Sequence, residues 1–357
     1  VGVVAAPQRP PRDQPQHEGH QADEEGDERE HGRAAQRNAA YPGAVGKFSA
    51  PRPPRFAPMK LRHLGYACQN TTLGTTNRTI RLANLRTEAL IPVLAQNFDD
   101  VLRALRWNVA HGVRFFRISS DLVPFGSLPA FPFDWAEAFD WKLREIRHLV
   151  KAEGLRVSSH PGQYTVLNSP REEVVDASIA ELEHQARVVE RMDPKHGTLT
   201  LHVGGAYGDK PAAMDRFAAN LPRLSERVRS RLIIENDDKT FTLAEVVDLA
   251  ERTGLPVVVD LFHHQCNPSG ATWDVGLPAL LERAMATWGK RVPKLHLSSR
   301  REGTWTSHAD HVAPADLQTL LDLMAAVPPP DAPYDVMLEA KAKEKALITV
   351  RDAVFGL

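Results

Sequence analysis

From Met59 onward, short apolar runs rich in β-branched residues alternate with longer segments whose apolar positions recur at helical spacing. That alternation is the signature of βα units feeding a parallel sheet. Eight strands are predicted, at 61–68, 113–119, 156–160, 199–203, 232–236, 257–261, 294–298 and 336–340, with amphipathic helices such as 140–153, 172–192, 243–252 and 314–326 between them. Boundary residues agree with this division. Thr242 reads as a helix N-cap with Glu245 at the third helical position, and Gly154 and Gly254 read as terminators. Eight units in about 300 residues suit one (β/α)8 TIM barrel, an α/β fold. An open doubly wound sheet would need a phosphate-binding glycine fingerprint after its first strand, and Gly65 with Gly74 has the wrong spacing.

Composition changes the picture at one end only. Residues 1–58 hold nine prolines, eight basic and eight acidic residues, and no Leu, Ile, Met, Trp or Cys. Such a segment cannot bury enough apolar surface to offset its chain entropy, so a disordered N-terminal extension is expected. It also reads as upstream sequence translated from a start codon assigned too early. Residues 59–357 are the expected working domain.

Over the 357 residues, 44 basic and 45 acidic side chains nearly cancel, giving a formal charge of −1. Neutrality supplies no argument for nucleic acid, although a local basic groove is compatible with it. Cys68 and Cys266 cannot build a disulfide framework, so a reducing, cytoplasmic compartment is expected. No apolar run approaches the roughly 18 residues of a membrane span.

The strand ends carry the chemistry, because in a barrel the C-terminal ends of the strands face the active site. His160 ends the third predicted strand, His202 lies in the fourth, Glu235 in the fifth, and Asp260 in the sixth, with His263 just after it. Lys294 and His296 occupy the seventh, His308 and His311 follow it, and Glu339 lies in the eighth. A lone barrel histidine is more often a core residue than a ligand, but recurrence at equivalent positions of successive strands favours ligands. Imidazoles and carboxylates converging in this number are costly to bury unpaired, and divalent ions resolve that cost. The donor set suits zinc, manganese or iron. Seven to nine ligands exceed the needs of one ion, so two or three ions are expected.

Ions roughly 3.5 to 4 Å apart suit phosphodiester cleavage. A metal-dependent sugar isomerase is the competing enzyme reading. His111, His148, His184 and His196 read as ordinary surface residues, His264 as a neighbour pointing elsewhere, and Cys266 as a weak ligand candidate.

The loops speak to substrate. Pro161 and Gly162 form a turn expected to project Gln163 and Tyr164 above the metals, an amide and a ring suited to disrupting a base pair. Tyr66, Asn70 and the polar loop after them lie on the same face. Arg78, Arg81, Arg86, Lys210, Lys239, Arg300 and Arg301 are candidates for a basic rim.

Taken together, the stretches 64–70, 116–120, 160–164, 234–237, 259–264, 294–299 and 336–345 resemble the UV damage endonucleases. The resemblance implies a barrel related to endonuclease IV, up to three divalent ions, usually manganese, and incision immediately 5′ to cyclobutane pyrimidine dimers and 6-4 photoproducts. An abasic-site endonuclease is the nearest alternative, and a non-catalytic damage-binding protein is a more distant one. The implied ligands are His160, His202, Glu235, Asp260, His263, His296, His308 and Glu339, with His308 chosen over His311. Glu235, Glu339, Asp260 and Lys294 are the implied catalytic group, Lys294 matching a lysine that can be carboxylated. Gln163 and Tyr164 resemble the family's probing wedge, with Tyr66 and Asn70 contacting the lesion from the other side. The implied partner is double-stranded DNA bound by a monomer, nucleoid-associated when so bound. At Leu128 the resemblance leads one to expect a histidine ligand, so the third ion is expected to be weakly or differently held.

Overall fold

Eight parallel strands close into a barrel in strict chain order: β1 (Leu61–Ala67), β2 (Phe115–Ile118), β3 (Arg156–Ser159), β4 (Thr198–His202), β5 (Leu232–Glu235), β6 (Val257–Asp260), β7 (Lys294–Leu297) and β8 (Tyr334–Leu338). The computed structural model describes residues 61–75, 77–268, 276–328 and 332–357. The expected disordered extension, residues 1–58, lies outside them.

Eleven helices occur among the described residues: α1 (Thr87–Ala110), α2 (Trp135–Ala138), α3 (Asp140–Ala152), α4 (Glu172–Met192), α5 (Lys210–Asn220), α6 (Glu226–Arg229), α7 (Leu243–Thr253), α8 (Leu261–Cys266), α9 (Leu277–Ala286), α10 (Pro314–Ala325) and α11 (Lys343–Phe355). None is long and apolar enough to cross a membrane. Residues 61–80 and 85–357 belong to the barrel unit; the described part of a second unit is Arg81–Asn84, where Leu82–Asn84 make one 3-10 turn.

Helices cover the outside while side chains fill the inside, so strands are buried on both faces whether they are apolar runs such as β6 or alternate polar and apolar residues, as β4 and β7 do. Every residue of β3, β5, β6, β7 and β8 is buried. The capping box of Thr242 and Glu245 forms at the start of α7, and Gly254 ends that helix in the left-handed region at φ 73°.

Several strand boundaries shift by one or two residues from expectation, and two of the shifts have a clear cause. β8 begins two residues early, because Tyr334 pairs with Leu61 and Asp335 with Lys294. The chain after β6 turns at once into α8, since the Asp260 carboxylate accepts the backbone N–H of His263 at 2.8 Å and caps it.

Candidate metal centre

The barrel places one polar side chain at or just beyond the end of each strand from β3 to β8. His202 and Glu235 are register partners across β4 and β5, and Asp260 and His296 across β6 and β7. Glu339 follows β8 and is held to β7 by its backbone N–H, which donates to the Leu297 carbonyl at 3.0 Å. α8 turns His263 back over the same mouth.

Glu235 is the hub. One oxygen, Oε2, lies 3.1 Å from His160 Nε2 and 3.7 Å from His202 Nε2; the other, Oε1, lies 2.6 Å from His296 Nδ1 and 3.9 Å from His263 Nδ1. His296 Nδ1 is also 3.1 Å from Glu339 Oε1, and His308 Nδ1 is 3.9 Å from Glu339 Oε2. His263 Nδ1 also lies 3.8 Å from Asp260 Oδ2, so all eight expected ligands belong to one chain of contacts. Their donor atoms include two compact groups, His160 with His202 and Glu235, and Glu235 with Asp260 and His296. Glu235 is common to both, as a carboxylate bridging two ions would be. His311, by contrast, is exposed, while His308 stands edge-on to Phe262 with ring centroids 5.1 Å apart.

Local bonds aim the rings. His160 Nδ1 is 3.0 Å from the Pro161 carbonyl and His263 Nδ1 is 3.0 Å from the Asn236 carbonyl. A carbonyl partner fixes the proton on Nδ1 and turns Nε2 into the free donor, the usual preparation of a metal-binding imidazole. Asn236 also locks β5 to β6: its amide donates to the Asp260 carbonyl at 2.9 Å and accepts the Asp260 N–H at 2.9 Å.

Electrostatics follow from the crowding. Burial alone would raise the Glu235 carboxyl, but the His296 and His202 imidazoles hold it well below the usual carboxylate range. Burial likewise opposes ionisation of Glu339, and the Arg117 guanidinium, joined to it in an ion pair, overcomes that penalty and keeps it well below that range. For His263, burial works downward but Asp260, Glu235 and Glu339 push it up to about 9. His202 is lowered chiefly by burial. Lys294 is fully buried inside the barrel, donates to the Thr200 hydroxyl, and is held well below the ordinary lysine range by that burial and by Arg117.

Three buried polar atoms here lack hydrogen-bond partners among the described residues: Asp260 Oδ2, His296 Nε2 and His202 Nδ1. Buried polar atoms are rarely left so, and each orphan costs about 1 to 3 kcal/mol. Oxygen and imidazole donors without protons to receive are what divalent cations satisfy, so the residues fit such ions.

Around this centre the loops divide into exposed and enclosed parts. The Thr165 N–H donates to the Gly162 carbonyl at 2.9 Å, closing a turn whose central residues are Gln163 and Tyr164. Both are exposed, Tyr164 at 85 %. Tyr66 and Asn70 are placed otherwise than expected for lesion contacts. Both are fully buried. The Tyr66 hydroxyl donates to Asn108 Oδ1 at 2.7 Å and accepts from Asn70 Nδ2 at 2.9 Å, while Asn70 Oδ1 accepts the Leu73 N–H at 3.0 Å. They brace the loop from inside. Glu344 does the same from α11, accepting the backbone N–H groups of Thr71 and Thr72 at 2.9 and 2.7 Å.

Leu128 is 37 % exposed in the loop after β2. That loop corrects the reading of His184 as a surface residue: His184 is buried, edge-on to Trp135 with centroids 5.5 Å apart, in a space kept open by Gly126. His111, His148 and His196 are exposed as expected, whereas His264 is buried. In the basic rim, Arg78 pairs with Asp100 at 2.6 Å and Lys210 with Glu245 at 3.0 Å; Arg86, Lys239 and Arg301 are exposed. Arg117, Asn236 and Glu344 went unassigned in the sequence. The available signal was a charged residue in an apolar strand for Arg117 and its position directly after Glu235 for Asn236.

The profile of the family described as UV-endonuclease UvdE matches residues 62–355. A UV DNA damage endonuclease of Bacillus pumilus is 37% identical over 265 residues, which is 73% of this chain and 81% of that protein. The crystal structure of SacUVDE superposes with a TM-score of 0.76 at 33% identity, covering 82% of this chain and 98% of that one. Endonuclease IV from Thermus thermophilus shares the fold at 18% identity, with a TM-score of 0.52 and coverage of 83% and 98%. With its donor cluster in place at the barrel mouth, the chain belongs to the UV-endonuclease UvdE family.

Proposed function

We propose that the protein is a metal-dependent DNA repair endonuclease that incises the backbone immediately 5′ to cyclobutane pyrimidine dimers and 6-4 photoproducts. The observation that carries the metal-dependent part is the pair of donor groups sharing Glu235, together with buried acceptors that no protein hydrogen satisfies. Family membership supports the substrate class proposed, DNA containing UV lesions.

His160, His202, Glu235, Asp260, His263, His296, His308 and Glu339 would hold two or three divalent ions, manganese by the family resemblance. Such ions lower the pKa of water and neutralise a phosphodiester. The protein's own part is to orient and insulate. Glu235 bridges the two donor groups, Asn236 and Asp260 fix the β5–β6 edge, and Arg117 keeps Glu339 ionised in a buried place. Lys294 supplies a buried amine that, as a carbamate, would add one more anionic group beside the cluster. Gln163 and Tyr164, at the exposed turn, act as the wedge into a distorted duplex, the ring stacking where a base has left. Tyr66 and Asn70 serve that face indirectly, by setting the shape of the loop that follows β1.

The test is incision of an end-labelled duplex carrying one photoproduct at a known position, with Mn²⁺. A single cut directly 5′ to the lesion, absent after chelation, is the expected result. A preference for an abasic duplex would make the protein an abasic-site enzyme, and cutting that chelator leaves untouched would overturn the metal reading.

A further inference from the structure

One aromatic–cation pair on this face has no part in the reading above. Trp305, in the loop after β7, is 60 % exposed. It is nevertheless fixed in place: its indole Nε1 donates to the Cys266 carbonyl at 3.3 Å, and the Cys266 thiol donates to the Trp305 carbonyl at 3.3 Å. Cys266 ends α8, the helix that Asp260 caps and that carries His263. The Arg300 guanidinium lies over the indole, 4.1 Å from its centroid, and 5.7 Å from the Phe262 centroid. Phe262 in turn is the ring against His308. Arg300 and Trp305 are thus anchored to the same helix and ring that position two of the cluster's histidines.

This rigidity has a physical meaning. Leaving a tryptophan ring in water forgoes the gain from burying it, and two hydrogen bonds that also pin that ring preserve a flat apolar surface for an outside group. Among the described residues no carboxylate pairs with Arg300, which instead spends its contacts on two ring faces and the Cys266 sulfur at 3.8 Å. Indole with a guanidinium beside it matches a nucleotide, which offers a base or sugar face next to a phosphate. Position agrees as well. β3 and β7 stand four strands apart in an eight-membered ring, so the loop of Trp305 and the loop of Tyr164 face each other across the mouth, with the donor cluster between them.

We propose that Trp305 and Arg300 form a second DNA-binding point, the indole packing on a base or deoxyribose and the guanidinium taking a phosphate, on the side of the metal centre opposite the Gln163–Tyr164 turn. The proposal rests on the reading of the substrate as DNA. A strand gripped on both sides is held with its backbone over the metals, whereas one gripped by the wedge alone is free to pivot.

The experiment uses the full-length, Mn²⁺-loaded protein and a fluorescent duplex with one cyclobutane dimer, with binding followed by anisotropy. Trp305→Ala is expected to weaken binding roughly ten- to a hundredfold, Trp305→Phe to recover part of the loss, and Arg300→Gln to flatten the salt dependence by about one unit of log–log slope. Metal content and melting temperature should stay at wild-type values. Binding by Trp305→Ala within twofold of wild type overturns the proposal and leaves the endonuclease reading standing. So does a loss of affinity that tracks a loss of bound metal and that Phe does not rescue, since the ring would then only be packing. Should Trp305→Ala fail to fold, an Arg300→Gln variant with wild-type affinity and slope overturns it instead. A wild-type protein that neither binds nor cuts the duplex removes the DNA reading and this proposal with it.

Discussion

Buried charge collects at both ends of this barrel, with opposite outcomes. At the N-terminal end of the strands, Asp335 receives Arg62 Nε at 2.8 Å on one oxygen and Arg156 Nη1 at 2.8 Å on the other, and Arg156 Nη1 also donates to the Val292 carbonyl at 3.2 Å. The Phe115 and Trp288 rings lie beside the Arg156 guanidinium, at 5.2 and 5.7 Å. Both carboxylate oxygens are used, by cations the protein brings itself. At the C-terminal end, carboxylates and imidazoles meet in a richer cluster, yet Asp260 Oδ2 and His296 Nε2 have no partner. At one end the protein's own cations meet the carboxylate, while the other presents donors that could take ions from outside. Burial alone does not distinguish them, nor does an unsatisfied atom as such, since Arg156 Nε also lacks a partner among the described residues. The kind of atom does: a guanidinium donor below, a carboxylate oxygen and imidazole nitrogens above.

Two substitutions test this contrast by making the same chemical change at each end. Asp260→Asn keeps the oxygen that caps α8 through the His263 N–H and removes the charge that faces the orphaned side. We expect near wild-type stability, fewer metal equivalents per chain by elemental analysis, and incision down by on the order of a thousandfold. Unchanged metal content with normal incision would break the contrast at its catalytic end. Asp335→Asn leaves two guanidiniums around a neutral amide in a closed site, and denaturant unfolding should register a loss of about 3 to 5 kcal/mol, with metal content per folded chain unchanged. An unaltered midpoint would mean the lower cluster contributes little to folding.

How much of this was legible in the sequence depends on whether the deciding interaction is local. The strand order and the polar strand ends follow from short apolar runs and the residues that close them, so Glu235, Asp260 and His296 could be named as candidate donors from position alone. The capping box from Thr242 to Glu245 is a four-residue pattern and formed as expected. What escaped was set by partners far along the chain. Tyr66, in the first predicted strand, and Asn70, just after it, read as lesion contacts until Asn108 and the Leu73 backbone are seen to enclose them. Asp335 reads as a loop residue until Arg62, 273 positions away, draws it into β8. Arg117 acquires its meaning only when β8 arrives beside β1 and sets Glu339 against it.

The smallest expected effect compares two histidines in place of the two clusters. His263, surrounded by Asp260, Glu235 and Glu339, is pushed up to about 9, whereas His184, buried with Arg187 as its charged neighbour, is pushed down to about 4 from an ordinary 6.5. Burial lowers both, and only the carboxylates reverse it. For His184 the unfolded chain takes up a proton as pH falls through about 6.5 while the folded chain refuses it until about 4, so stability must decline as pH falls through that window. The shift bounds the loss at about 3 kcal/mol. Other groups also contribute to the pH dependence of stability, so the measurement is a difference: unfolding free energy against pH for wild type and for His184→Gln, a variant that cannot take the proton. The variant should show the shallower decline between pH 6.5 and 4. Parallel curves would mean that His184 escapes its burial on protonation, through movement of the loop at Gly126, where an added Cβ would lie 2.1 Å from the imidazole. In that event carboxylate neighbours would no longer be what separates the two histidines.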